Sequence, residues 1–99
     1  MTNYDDREPC YVSGRVTGNE NYREDFNNAS LEIIAMDYKA INPVANVPLD
    51  KTWIWYMKRD IRLLLDCNTI YMIHGWWRSR GARLEWLIAK ILNYKIIYQ

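Results

Sequence analysis

Nowhere in this 99-residue chain does an apolar run approach the roughly 20 residues that cross a bilayer, so a membrane-spanning helix is excluded on length. Charge of one sign is scarce too. Lys+Arg 13 against Asp+Glu 12 leaves a formal net charge of +1, which supplies no field strong enough to hold nucleic acid or an anionic membrane. Cysteine is limited to Cys10 and Cys67, which lack metal-ligand spacing and read as free thiols in the core of a cytoplasmic protein. The polar Met1-Thr2-Asn3 start contains no apolar signal segment, which points to the same compartment. Neither metal nor cofactor is implied. Aromatic rings, by contrast, are abundant: 5 Trp and 8 Tyr exceed what so short a core hides easily, and suggest rings at a pocket or a subunit contact. A chain of this length has one core and one domain, and a homodimer or higher homo-oligomer would cover rings such as Trp53, Trp55 and Trp86.

The hydrophobic period then places the elements. Residues 1–8 are polar and read as a frayed start. A short β-type run over 9–14 stops at Gly14, and Arg15-Val16-Thr17-Gly18-Asn19 supplies turn chemistry. Gly14 and Gly18 there serve backbone conformation or close ligand approach. Tyr22, Phe26, Ala29, Ile33 and Met36 recur at helical spacing over 22–36. A second strand over 39–43 ends at Pro43, a loop follows over 44–51, and Thr52 caps a helix over 53–66. The apolar set of that helix is Trp53, Tyr56, Met57, Ile61, Leu64 and Leu65. Asp60 lies at its edge between Arg59 and Arg62 and reads from those neighbours as part of a surface ion pair. Residues 69–73 form a nearly continuous apolar run, as in a central strand covered on both faces. A last helix with Leu84, Leu87, Ile88, Ile91 and Leu92 on its buried face leads to a fourth strand over 95–98.

The resulting βαβαβαβ pattern predicts a three-layer α/β domain of Rossmann or flavodoxin-like type, with a four-stranded parallel sheet in the order 2-1-3-4. Ligands of such sheets bind outside the carboxyl ends of the strands where the order reverses, between the first and third strands here. The loop after Gly14 and the stretch Gly75-Trp76-Trp77-Arg78-Ser79-Arg80-Gly81 both leave those ends. Small residues at Ser79, Gly81 and Ala82 open a helix whose free amides and positive dipole end suit an anion, and Glu85 follows one turn on. Two separate signals thus converge on one site. Trp76 and Trp77 are positioned either to stack on a base or to seal a dimer contact. His74, at the same strand end, is a candidate proton donor for a leaving base, and a bystander on base rates.

Tyr11-Val-Ser-Gly-Arg-Val-Thr-Gly18, then Arg59-Asp60 with Leu65-Asp66-Cys67, then Ser79-Arg-Gly-Ala-Arg-Leu-Glu85 with Ala89 resembles the nucleoside 2-deoxyribosyltransferase superfamily. The likeness runs from about Tyr11 to the end, and extends to small bacterial and phage domains and to deoxynucleoside 5′-monophosphate N-glycosidases. It implies that Glu85 is a nucleophile forming a covalent glycosyl-enzyme, kept ionised by the helix dipole, and that Asp60 orients sugar or nucleophile. It further implies that Ser79 and the amides near Gly81 hold a 5′-phosphate, while Tyr11, Gly14, Arg15, Thr17 and Gly18 line the base and phosphate side. The expected function is N-glycosidic cleavage or deoxyribosyl transfer on a nucleotide or nucleoside. The alternative is a non-catalytic binder, such as a phage-type protein that sequesters a signalling nucleotide. A third class, a nucleic-acid module using Arg78, Arg80 and Arg83 with the tryptophans, is disfavoured by the near-neutral charge.

Overall fold

The computed structural model describes residues 6–99. Its elements run β1 (Pro9–Ser13), α1 (Tyr22–Ala35), β2 (Lys39–Ile41), α2 (Trp53–Leu65), β3 (Thr69–Met72), a 3-10 turn at Trp76–Arg78, α3 (Arg80–Ile91) and β4 (Lys95–Tyr98). Every strand pairing is parallel and the sheet order is β2-β1-β3-β4, as the alternation of periods predicts. Of the expected frayed start, residues 1–5 lie outside the described residues. Glu8 is tied down, its carbonyl accepting the Lys39 amide at 2.9 Å.

Side-chain alternation on the two central strands divides the core into two halves. Cys10 and Val12 of β1 with Tyr71 and Ile73 at β3 meet Phe26, Ala29 and Ile33 of α1 on one face. Tyr11, Ile70 and Met72 meet Leu64 of α2 with Ala82 and Ala89 of α3 on the other. Both central strands are therefore covered twice, which is what their unbroken apolar runs require. Cys10 and Cys67 are free and buried, and burial pushes their thiols up to about 12 and about 11.

Local chemistry sets the helix ends. Thr52 caps α2 through Oγ1, which accepts the Trp55 amide at 3.1 Å. α1 and α3 each end at a left-handed residue, Asp37 (φ 70) and Asn93 (φ 59). Those turns let the amides of Tyr38 and Tyr94 reach back to the carbonyls of Ile33 and Ala89, at 3.0 and 2.9 Å.

The buried face of α3 is not the one its leucines predict. Ala82, Glu85 and Ala89 face inward, whereas Leu84, Leu87, Ile91 and Leu92 are exposed and Ile88 is half-buried. Small side chains explain the rotation. Ala82 and Ala89 let the helix lie close on the sheet, and Gly81 lets it lie close to α2, since a Cβ at Gly81 would sit 3.0 Å from Met57 Sδ. A leucine stripe turned inward would hold the helix further out and would expel Glu85 from its hydrogen-bond partners. Met36 and Leu65, expected on buried faces, sit at or next to helix ends and are exposed for that reason.

Candidate functional site

Outside the carboxyl ends of the strands lies a cavity of about 270 Å³. Gly14, Val16 and Thr17 after β1 form one wall, with Tyr22 at the start of α1. The β2–α2 loop contributes Pro43, Val44, Val47 and Leu49, and α2 contributes Trp53, Tyr56, Met57 and Asp60. α3 closes the cavity with Ser79, Gly81, Ala82 and Glu85. The loops after β1 and β3 thus meet at one site, as the position of the switch point requires.

Glu85 is only 5% exposed. Each of its carboxyl oxygens has its own partner: the Ser13 hydroxyl donates to Oε1 at 2.8 Å, and the Tyr11 hydroxyl donates to Oε2. Tyr11 and Ser13 are two apart on β1, so strand alternation aims both hydroxyls at the same face of the sheet. Burial pushes the Glu85 carboxyl from 4.5 up to about 8; the two hydroxyl bonds oppose that rise and the nearby Asp60 adds to it. Burial likewise raises the Tyr11 phenol well above its usual range, with the Glu85 and Asp60 charges adding to the effect. Burial therefore works against the expectation that the dipole of α3 keeps Glu85 ionised. Desolvation of the charged form outweighs a dipole effect worth about 1 kcal/mol or less at exposed sites.

Asp60 does pair with Arg59, at 3.3 Å, but not with Arg62, and it is not a surface residue. Its side chain is 20% exposed and lines the cavity, while the Arg59 guanidinium also donates to the Pro43 carbonyl at 2.8 Å. Burial raises the Asp60 carboxyl from 3.8 to about 6, against the lowering influence of Arg59. Ser79 caps α3, its Oγ accepting the Ala82 amide at 3.2 Å. The amides of Arg80 and Gly81, in the first turn, have no carbonyl one turn back. Around the rim, Arg80 stacks on the Trp53 ring at 3.7 Å from its centroid, and the Tyr56 hydroxyl donates to the Pro48 carbonyl at 2.5 Å.

Of the residues singled out in the sequence, Glu85, Asp60, Gly14, Thr17, Ser79 and Gly81 line the cavity. Tyr11 lies behind the wall, where it holds Glu85. Arg15, Gly18, Trp76 and Trp77 are not in the lining. Gly18 has φ +78 and serves the turn, with the Arg15 guanidinium folded beside it. Trp76 stacks on Trp86 at 5.4 Å and tilts over Tyr98, and Trp77 stands edge-on to His74 at 5.0 Å. The 3-10 turn directs both rings away from the crevice before α3 begins, so neither is placed to stack on a ligand in it. Ser13 escaped the sequence reading, although its period-two relation to Tyr11 carried the signal. The apolar wall of Val44, Val47 and Leu49 had no such signal, because a proline-bracketed loop has no period.

Among the described residues, no group of three or more His, Cys, Asp and Glu could hold a metal ion, and no helix is long and apolar enough to cross a membrane. A search of the curated proteins finds no match. Among solved structures, a 2-desoxiribosyltransferase from Leishmania mexicana has the same fold, with a TM-score of 0.69 and 19% sequence identity. The match covers 92% of this chain and 63% of that one, so this chain spans less than two thirds of the relative's length. That likeness is one of fold: the two chains share the α/β architecture to which the 2-1-3-4 parallel sheet belongs. Residues 8–98 match the model of a domain of unknown function, DUF4406, and the chain belongs to that family.

Proposed function

We propose that the cavity binds a nucleoside or nucleotide and that Glu85 cleaves its N-glycosidic bond, with the glycosyl group passing to water or to a second base. The observation that carries this reading is a carboxyl at the cavity wall, almost fully buried, with each oxygen held by its own hydroxyl. A buried acid is costly to keep and is found where chemistry uses it. In the first step the Glu85 carboxylate attacks the anomeric carbon, the C–N bond breaks, and its electron pair leaves with the base, which takes up a proton. In the second step water attacks the same carbon, the ester bond to Glu85 breaks, and the carboxylate is regenerated. Tyr11 and Ser13 fix the carboxylate, Asp60 orients the sugar, and Ser79 with the amides of Arg80 and Gly81 receives the polar 5′ end. The apolar wall of Val44, Val47 and Leu49 receives the base.

One observation favours the non-catalytic alternative. Glu85 is almost fully buried, which pushes its carboxyl up to about 8 and so favours the protonated form at neutral pH, and a protonated acid is a hydrogen-bond donor, not a nucleophile. The two readings separate in one experiment, in which free base is resolved chromatographically from nucleoside and nucleotide substrates across pH. Cleavage that rises with pH towards a plateau above about 8, and that Glu85→Ala removes while calorimetric binding persists, supports the enzyme. Binding without base release by the wild type at any pH leaves the binder.

A further inference from the structure

The net charge of +1 conceals a division between the two helical layers. α2 and α3 carry Lys58, Arg59, Arg62, Arg80, Arg83 and Lys90 against only Asp60 and Glu85, and both of those acids line the cavity. The outer surface of this layer therefore presents cations without a carboxylate from either helix. Its exposed Lys58, Arg62, Arg80, Arg83 and Lys90 make no ion pair among the described residues. α1, on the opposite face of the sheet, has the reverse balance. Glu24, Asp25 and Glu32 outnumber Arg23, and beside the helix the exposed acids Glu20 and Asp37 stand with the cations Lys39 and Lys95, just as Asp50, Lys51 and Asp66 flank α2, so the sign of each layer is set by its helices.

Each layer also leaves apolar side chains uncovered. On α3, Leu84, Leu87 and Ile91 are 36%, 48% and 72% exposed, and their spacing of three and four makes them a single stripe. α1 exposes Leu31 at 65% and Ile34 at 43%, three apart on its outer side. Two α2–α3 layers facing each other would oppose cations to cations, which costs free energy across a contact. An α2–α3 layer facing an α1 layer opposes cations to acids and brings the two apolar stripes together.

We propose that the α2–α3 face binds the α1 face of a second copy of this chain, with Leu84, Leu87 and Ile91 packed on Leu31 and Ile34. Glu20, Glu24 and Asp37 of one copy then face the cations of the other. The two faces lie on opposite sides of one sheet, so the contact is heterologous and propagates into a ring or an open row. The α2 and α3 helices that bear Asp60 and Glu85 are thereby covered by a neighbour, whatever reaction the cavity performs.

Sedimentation velocity on the full chain tests this without any ligand. The mass is expected to grow with protein concentration and to fall back as salt is raised. Ile91→Glu spoils the α2–α3 face and Leu31→Lys spoils the α1 face. Each is expected to weaken association by about tenfold or more, enough to hold that variant as a monomer where the wild type assembles. An equimolar mixture should form a one-to-one heterodimer and nothing longer, because each variant keeps the face the other has lost. Both positions are exposed, and thermal melts verify that the variants fold. A monomeric wild type, a mixture without rescue, or a dimer lost in Ile91→Glu yet intact in Leu31→Lys would overturn the proposal, the last by assigning an isologous α2–α3 contact. Oligonucleotide binding by a chain that does not self-associate would overturn it as well, by giving the basic face to nucleic acid.

Discussion

The two faces of the sheet are built by opposite rules. On the α1 side, Phe26, Ala29 and Ile33 pack on Cys10, Val12 and Tyr71, and the Tyr71 hydroxyl reaches the Glu32 carboxylate at the edge of that layer. On the α2–α3 side, Gly81, Ala82 and Ala89 take positions that large apolar residues would fill in an ordinary core, and Glu85 is buried between them. One face is devoted to packing. The other gives up apolar volume for a cavity and accepts a desolvated carboxyl, a cost that only two well-placed hydroxyls make tolerable. If the cavity works as proposed, stability and function are segregated by layer, and substitutions should sort by the face they touch.

The largest expected effect is on the α2–α3 side. If Glu85 is the nucleophile proposed, Glu85→Ala should lower base release by about a thousandfold or more, with little change in ligand affinity. Next comes the pH dependence of stability. A carboxyl whose folded-state value is raised binds a proton more tightly when folded than when unfolded, so the free energy of unfolding falls as pH rises between the two values. For Glu85 that window runs from 4.5 to about 8, and for Asp60 from 3.8 to about 6. Urea denaturation without added ligand should show stability declining up to about pH 8, and Glu85→Gln should leave only the decline ending near 6.

Smaller effects sharpen the contrast between faces. Ala89→Leu overfills the close contact of α3 with the sheet, and should cost about 1–3 kcal/mol while also disturbing Glu85 and hence turnover. On the other face, Ile33→Val should cost about 1 kcal/mol in stability with turnover per folded molecule unchanged. Equal losses of turnover from these two variants would erase the division of labour. Gly18→Ala, finally, should cost about 1 kcal/mol because its φ of +78 disfavours a side chain, and should leave ligand binding intact. A titration showing weakened binding at constant stability would return Gly18 to the site from which its position outside the lining removes it.

Much of the cavity lining was legible before the fold was known. Gly14, Thr17, Ser79 and Gly81 line the cavity because they leave strand ends or begin a helix and the topology rule for parallel sheets brings those points together, whereas Asp60, in the middle of α2, and Glu85, in the second turn of α3, were pointed to by the resemblance. Arg15 and Gly18 were expected in the site from the resemblance, and Trp76 and Trp77 from their place at the end of β3, yet none of the four is in the lining. A 3-10 turn can rotate a side chain out of the crevice without changing the backbone path, as it does for Trp76 and Trp77, while Gly18 serves the turn through its backbone alone.

By itself the sequence determined the kind and order of the elements, their caps at Thr52 and Ser79, and the 2-1-3-4 sheet, since a period of two or 3.6 and the right-handed crossover are local rules. Tertiary structure alone decided how α3 is turned about its own axis. Periodicity sees a row of leucines, whereas the folded chain tests which face fits closest to the sheet, and Ala82 and Ala89 fit closer than Leu84 and Leu87. Tertiary structure also decided the state of Glu85. A carboxyl's protonation depends on the water it has lost and on partners brought to it from residues 74 and 72 positions away, Tyr11 and Ser13, and that distance is bridged only when the chain has folded.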